Sequence, residues 1–144
     1  MAPLTRFRAP NHLVSDLQAT YYGQRASKGG LLITEATFIA QEAGGYANAP
    51  GIYTTEQINA WKGVTDAVHA KGGVIYMQLW AIGRANAGTD DVKDIVSASD
   101  LGYEGGGDKP RPMTVDDIKR FVGHYKSAAL NAIEAGFDGV EIHS

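Results

Sequence analysis

Four short apolar stretches of this chain each run into residues that can do chemistry. Residues 1–4 lead to Thr5-Arg6, and residues 31–33 to Thr34-Glu35-Ala36-Thr37. Residues 73–77 lead to Gln78-Leu79-Trp80, and Gly139-Val140 to Glu141-Ile142-His143. Hydroxyls, an amide, an indole, two carboxylates and an imidazole at the ends of buried strands suit the presentation of side chains to a small ligand. Each also has a plainer reading. Glu35 and Glu141 sit in apolar strands, where an unpaired carboxylate is costly, so both fit a structural role with Arg6 as ion partner. Gln78 can be a satisfied core amide, Trp80 a packing residue and His143 a structural histidine. A metal site built on Glu141 and His143 falls short of the three protein ligands usual at catalytic zinc. His12 and His124 read as solvent-facing, and His69 as a cation at a helix end.

The elements that must hold these residues are legible as alternation. Ser15 or Asp16 caps a helix through about residue 27, with Leu17, Tyr21 and Ala26 inward, closed by Gly29-Gly30. Thr54 or Thr55 opens a second, with Ile58, Trp61, Val64 or Thr65, and Val68 at helical spacing, stopped by Gly72-Gly73. Thr114 with Asp117 resembles a capping box for a third, with Ile118, Phe121, Val122, Tyr125, Ala129 and Ile133 inward and Gly136 at its end. Two long loops intervene. The second contains Gly105-Gly106-Gly107, with no strand before it to make a phosphate cradle. Short apolar strands alternating with amphipathic helices predict an α/β fold with a parallel sheet. The first turn, TRFRAPNH, has no glycine, and no GxxxxGK occurs, so part of a (β/α)8 TIM barrel is preferred to a doubly wound nucleotide domain.

Composition narrows the classes. With 13 Lys plus Arg against 16 Asp plus Glu, the net charge is −3, and no basic block invites nucleic acid or an anionic membrane. The 144 residues contain no cysteine, which excludes disulfides and thiol catalysis and fits a cytoplasmic protein. No apolar run approaches the roughly 20 residues of a membrane span.

Six strings in order, MAPLTRFRA, YYGQRAS, LLITEATFI, GGYANAPGIYTTEQ, YMQLWAIGRA and GFDGVEIHS, closely resemble the Old Yellow Enzyme family of FMN-dependent ene-reductases, in its fungal and yeast branch. The resemblance spans the chain and weakens only over residues 88–113. It implies that Pro3 and Thr5 touch the flavin, that Ala36 meets the ring edge and that Gln78 hydrogen-bonds its pyrimidine edge. His143 would bind the substrate carbonyl as the catalytic donor, beside the flavin, with Tyr46 and Trp80 lining the substrate side. The implied activity is reduction of the C=C bond of small α,β-unsaturated carbonyl compounds with NADPH as hydride donor. An alkaloid aldehyde reductase or isomerase of the same family is a close variant, and a non-catalytic product or split half needing a partner chain is the alternative from another class.

The chain departs from the pattern. Ala81 stands where relatives often have His. The family's second carbonyl donor, its tyrosine proton donor and its phosphate-binding strands would all lie beyond Ser144. Typical complete barrels run about 250 residues. Residues 1–144 are therefore expected to form the N-terminal half of one FMN-binding barrel domain, truncated at both ends, with strands one to four and three helices. Such a half is expected to self-associate through its open edges and to be inactive alone.

Overall fold

A computed structural model describes residues 1–86, 92–106 and 108–143. In chain order it contains α1 (Asp16–Gly23), β1 (Leu31–Ile33), β2 (Thr37–Phe38), α2 (Thr55–His69) and β3 (Val74–Trp80). There follow β4 (Val96–Ser97), β5 (Arg111–Pro112), α3 (Val115–Glu134) and β6 (Gly139–Ile142).

The sheet is organised about β3. On one side β3 pairs in parallel with β1, from Leu31↔Val74 to Ile33↔Tyr76, and farther along with β2, Thr37↔Leu79 and Phe38↔Trp80. On the other it pairs in parallel with β6, from Tyr76↔Gly139 to Leu79↔Ile142. β1 and β2 are thus two pieces of one path. Four steps along it span three on β3, so residues 34–36 bulge out of the ladder. The Gln78 N–H fills that gap by donating to Thr34 Oγ1 at 3.0 Å. At the far side of β1, the Met1 amino group donates to the Leu31 carbonyl at 2.6 Å, and the Ile33 N–H donates to the Met1 carbonyl at 3.0 Å. Among the described residues, Met1 alone of the expected first strand pairs in this way.

Spatial order therefore follows chain order: Met1, β1 with β2, β3, β6. Successive parallel neighbours are joined through α1, α2 and α3, and right-handed crossovers put those helices on one side. This is the order of a (β/α)8 barrel wall, without the reversal that defines a doubly wound sheet. Strand alternation gives the wall two faces. Ile75, Met77 and Leu79 point to the helices, all at most 1% exposed. They meet Trp61, Val64 and Val68 of α2, Tyr22 of α1, and Ala128 and Ala132 of α3 in one core. Tyr76, Gln78 and Trp80 occupy the opposite face.

The helix starts follow their sequences. Ser15 with Gln18, Thr54 with Gln57, and Thr114 with Asp117 each form a reciprocal capping box. Gly136, at φ +91°, turns the chain out of α3 beside Thr65, whose hydroxyl donates to the Ala135 carbonyl at 2.7 Å. Two inward faces differ from expectation. α1 ends at Gly23 and buries Gln18 and Tyr22, leaving Leu17 56% exposed, because the Gln18 amide both closes the cap and donates to the Arg8 carbonyl at 2.7 Å. α3 buries Asp117, Phe121, Ala128 and Ala132, while Ile118, Val122 and Ile133 form an outward stripe with Val115 and Leu130. The helix has two apolar stripes, and small alanines permit the closer approach. The loop before α3 contains the parallel β4–β5 pair, Val96↔Arg111 and Ser97↔Pro112, which the sequence did not advertise. Gly106 turns there at φ +90°, and Gly107 lies outside the described residues. No described helix is long and apolar enough to cross a membrane.

Trp61 joins the layers. Its ring lies 5.4 Å from that of Phe137 and 6.4 Å from that of Tyr22, and its N–H donates to the Gly51 carbonyl at 3.1 Å. Trp61→Ala is expected to cost about 3–5 kcal/mol, through lost burial and an orphaned carbonyl, as read from chemical denaturation. A loss under about 1 kcal/mol would contradict this account of the core.

Candidate active site

The face of the sheet turned away from the helices carries paired side chains from β3 and β6. Tyr76 lies over Gly139, where an added Cβ would meet the tyrosine ring at 2.6 Å. One step on, the Gln78 amide nitrogen donates to Glu141 Oε2 at 2.9 Å. One step further, the rings of Trp80 and His143 stack at 5.7 Å and 29°. The ladder reaches this far because the His143 N–H donates to the Leu79 carbonyl at 2.9 Å. Around Trp80 gathers an aromatic wall. Phe38 stacks on it at 5.3 Å, Tyr46 tilts against it at 5.7 Å, and Phe7 meets Tyr46 edge-on at 5.9 Å. Tyr46 is held by its hydroxyl, which donates to the Ala85 carbonyl at 3.2 Å.

Phe7 is a member of this wall that the sequence reading passed over. It is 46% exposed and sits at φ +53°, a conformation unfavourable for a bulky residue and common where function constrains the backbone. Its place directly after Thr5-Arg6 was the available signal.

The strand-end polar residues fall into two groups. In the first, side chains are already engaged. The hydroxyls of Thr34 and Thr37 both donate to the Glu35 carbonyl at 2.9 Å. The Glu35 carboxylate accepts the Arg6 N–H at 3.1 Å, and the Glu35 N–H donates to the Tyr22 hydroxyl at 2.8 Å. In the second group some of that capacity is unused. Among the described residues, nothing hydrogen-bonds the Thr5 hydroxyl, the Gln78 carbonyl oxygen or either ring nitrogen of His143. Among the described residues no buried side-chain nitrogen or oxygen is left without a partner, so the Gln78 oxygen must reach the surface. Residues held for structure use their hydrogen-bonding capacity internally, as Thr34 and Thr37 do. The Thr5 hydroxyl, the Gln78 carbonyl oxygen and the His143 ring nitrogens have no such internal partner among the described residues.

Glu35 links the remaining positions. Through the Arg6 N–H it ties the segment bearing Pro3 and Thr5, both half-buried, to the segment bearing Ala36, which is 3% exposed. Arg6 is thus a partner of Glu35, as expected, but through its backbone and its nearby charge; its guanidinium lies 5.5 Å from the Tyr21 ring centroid. Glu141 pairs with Gln78 instead. Burial raises the Glu35 carboxyl above its ordinary value, and the Arg6 N–H, the Arg6 charge and the Tyr22 hydroxyl only partly offset it.

The loops above the face are fastened to α3 by an ion-pair network. Arg120 binds Glu42 at 3.0 Å and Asp117 at 2.8 Å, and Arg111 binds Asp117 at 2.6 Å and Asp94 at 2.7 Å. His124 joins Glu42 at 2.7 Å, and His12 Nδ1 meets the Ala49 carbonyl at 2.6 Å; both are half-buried structural residues, not solvent-facing as expected. The buried Asp117 carboxylate, held by Arg111 and by the Thr114 N–H and hydroxyl, stays well below the usual range. Burial pushes the Glu42 carboxyl up, but His124 and Arg120 outweigh it and hold it low. His69 pairs with Asp138 at 2.9 Å at the opposite end of the sheet, remote in role from the site.

The profile of the NADH:flavin oxidoreductase / NADH oxidase family matches residues 1–144. The chain is 53% identical over 150 residues to the chanoclavine-I aldehyde reductase fgaOx3 of Penicillium roqueforti, covering 100% of this chain and 41% of that protein. It is 51% identical over 148 residues to the NADP-dependent oxidoreductase lnbE of Aspergillus flavus, covering 99% and 39%. Among solved structures it superposes on morphinone reductase with TM-score 0.93 and 44% identity, over 99% of this chain and 42% of that one. The old yellow enzyme homologue from Zymomonas mobilis gives 0.91 and 43%, over 99% and 43%. The chain thus spans about two fifths of the length of the relatives it matches, and its sheet is part of a (β/α)8 barrel.

The raised Glu35 carboxyl has a consequence for stability. The fold disfavours the ionised form, so the penalty is absent below the ordinary value of 4.5, grows as pH rises past it, and levels off above the folded value. Glu35→Gln keeps an acceptor for the Arg6 N–H and carries no charge. The stability of Glu35→Gln relative to the parent chain is therefore expected to increase as pH rises from about 4, measured by urea titration across pH. A difference independent of pH would show that Glu35 is not buried as a charge.

Proposed function

This chain belongs to the NADH:flavin oxidoreductase / NADH oxidase family, and from that premise we propose that it forms one wall of an FMN-dependent ene-reductase site. The observation that carries the reading is the set of unengaged groups, the Thr5 hydroxyl, the Gln78 carbonyl oxygen and the His143 ring nitrogens, alongside an aromatic wall. These fit the flavin. Its polar ring edges need a hydroxyl and an amide, and its flat face needs close backbone, for which Pro3 and Ala36 are suited. When bound, FMN supplies the means to carry a hydride from NADPH to an activated alkene.

The protein's part is positioning and polarisation. Thr5 and Gln78 hold the cofactor's polar edges, with Pro3 and Ala36 against it. His143, oriented by stacking on Trp80, donates a hydrogen bond to the substrate carbonyl where negative charge develops. Tyr46 and Trp80 line the substrate side of this face. The substrates we assign are small enones and enals, and the cytoplasm is the setting we assign. The 53% identity to a chanoclavine-I aldehyde reductase favours an alkaloid aldehyde as a second substrate class.

We further propose that residues 1–144 form the N-terminal half of a larger barrel domain. The relatives are more than twice as long, the α3 stripe leaves Val115 67% and Val122 64% exposed, and no described strand pairs with the outer edge of β6. Such edges and stripes promote association. The chain alone is expected to sediment as a self-associating species and to bind FMN more weakly than micromolar by fluorescence quenching. A monomer with micromolar affinity would refute the half-barrel proposal.

The activity itself can be tested in a chimera. With residues 1–144 replacing the matched stretch of the Penicillium roqueforti reductase, NADPH-dependent reduction of cyclohexenone is expected. His143→Ala in that chimera should lower kcat/KM by roughly 10²–10³-fold, the scale of one lost oxyanion donor. Unchanged turnover would remove His143 from the chemistry.

A further inference from the structure

The Glu141 carboxylate has no role in the mechanism above, although it lies on the same face as Gln78 and His143. Ladder pairing sets it directly opposite Gln78, with the amide nitrogen 2.9 Å from Oε2. Whichever way an isolated glutamine amide points, it has two orientations half a turn apart, with donor and acceptor exchanged. An ionised carboxylate offers only lone pairs, so it accepts the amide nitrogen and repels the amide oxygen. The neighbour on the other flank settles nothing, because Thr34 Oγ1 receives the Gln78 backbone N–H rather than its side chain.

We propose that Glu141 is a positioning residue that fixes the orientation of the Gln78 amide. The open face then presents one acceptor, Gln78 Oε1, and one remaining N–H in a set order. That order complements an imide-type ring edge, where an N–H stands beside a carbonyl. With the amide reversed, donor would face donor and acceptor would face acceptor, and the ligand would be rejected. The proposal rests on the flavin reading of this face, since the flavin pyrimidine ring carries such an edge.

The test uses the ¹⁵N-labelled 144-residue chain with FMN as probe, in Glu141→Leu, Glu141→Gln and Gln78→Ala variants. The Gln78 side-chain NH₂ signals are assigned by their absence in Gln78→Ala. In Glu141→Leu those signals are expected to move upfield, and the FMN dissociation constant to rise about tenfold, the scale of one hydrogen bond to a charged group. Glu141→Gln, which keeps an acceptor but no longer dictates the orientation, should recover part of the affinity. Unmoved NH₂ signals in Glu141→Leu would overturn the proposal whether or not FMN binds. Moved signals with unchanged FMN affinity in Glu141→Leu, while Gln78→Ala weakens binding, would overturn it and leave the flavin reading standing. FMN affinity untouched in Gln78→Ala would defeat the flavin reading, and this proposal with it.

Discussion

The register between β3 and β6 is the constraint on which the site depends. Because the side-chain period of a strand is two, one pairing choice decides every neighbour on a face. Tyr76↔Gly139 and Gln78↔Glu141 are both set by it, and Trp80 and His143 follow one alternation later. A slip by one residue would turn Glu141 and His143 toward the helices and bring Val140 and Ile142 to the open face. Two features resist the slip. Gly139 is the residue small enough to lie under the Tyr76 ring, and Val140 packs against the helix-side core. The geometry at the site is thus inherited from packing several ångströms behind it.

A second constraint works at right angles to the first. The bulge at residues 34–36 takes Glu35 out of the ladder and turns it toward Tyr22 and the Arg6 N–H. The carboxylate then gathers the N-terminal segment and the end of β1 around one buried charge. Its raised proton affinity shows that the arrangement opposes stability. The bond from the Arg6 N–H to Glu35 nevertheless ties the segment bearing Thr5 to the one bearing Ala36. The ion-pair network from Glu42 to Asp94 ties the upper loops to α3 through the buried Asp117 carboxylate, while its outer pairs, Arg120 with Glu42 and Arg111 with Asp94, are solvent-screened.

Much of this was legible in the sequence, and each failure has a physical cause. The order of strands and helices, the caps at Thr54 and Thr114, and the α2 core face of Ile58, Trp61, Val64 and Val68 all follow from local pattern. The face of α3 did not, because Ile118 and Val122 are as apolar as Phe121 and periodicity cannot choose between two stripes. The burial of Gln18 was hidden because a glutamine that serves a cap looks like a surface residue. His124 and His12 were misplaced for a different reason: their partners, Glu42 and the Ala49 carbonyl, are distant in sequence. Local chemistry was readable, and long-range pairing was not.

The same limit explains why residue types at strand ends could be singled out but not sorted. Thr5, Thr34 and Thr37 are indistinguishable as letters. In three dimensions Thr34 and Thr37 donate to the Glu35 carbonyl, and Thr5 is left unengaged among the described residues. Likewise Glu35 and Glu141 read as one problem, two costly carboxylates in search of Arg6, and have two solutions. One is closed by a backbone N–H and serves the scaffold, and the other by a side-chain amide on the open face. What separates these strand-end polar residues is whether their hydrogen-bonding capacity is already satisfied within the described residues. That property belongs to the fold, because it is set by which strand lies beside which and in what register.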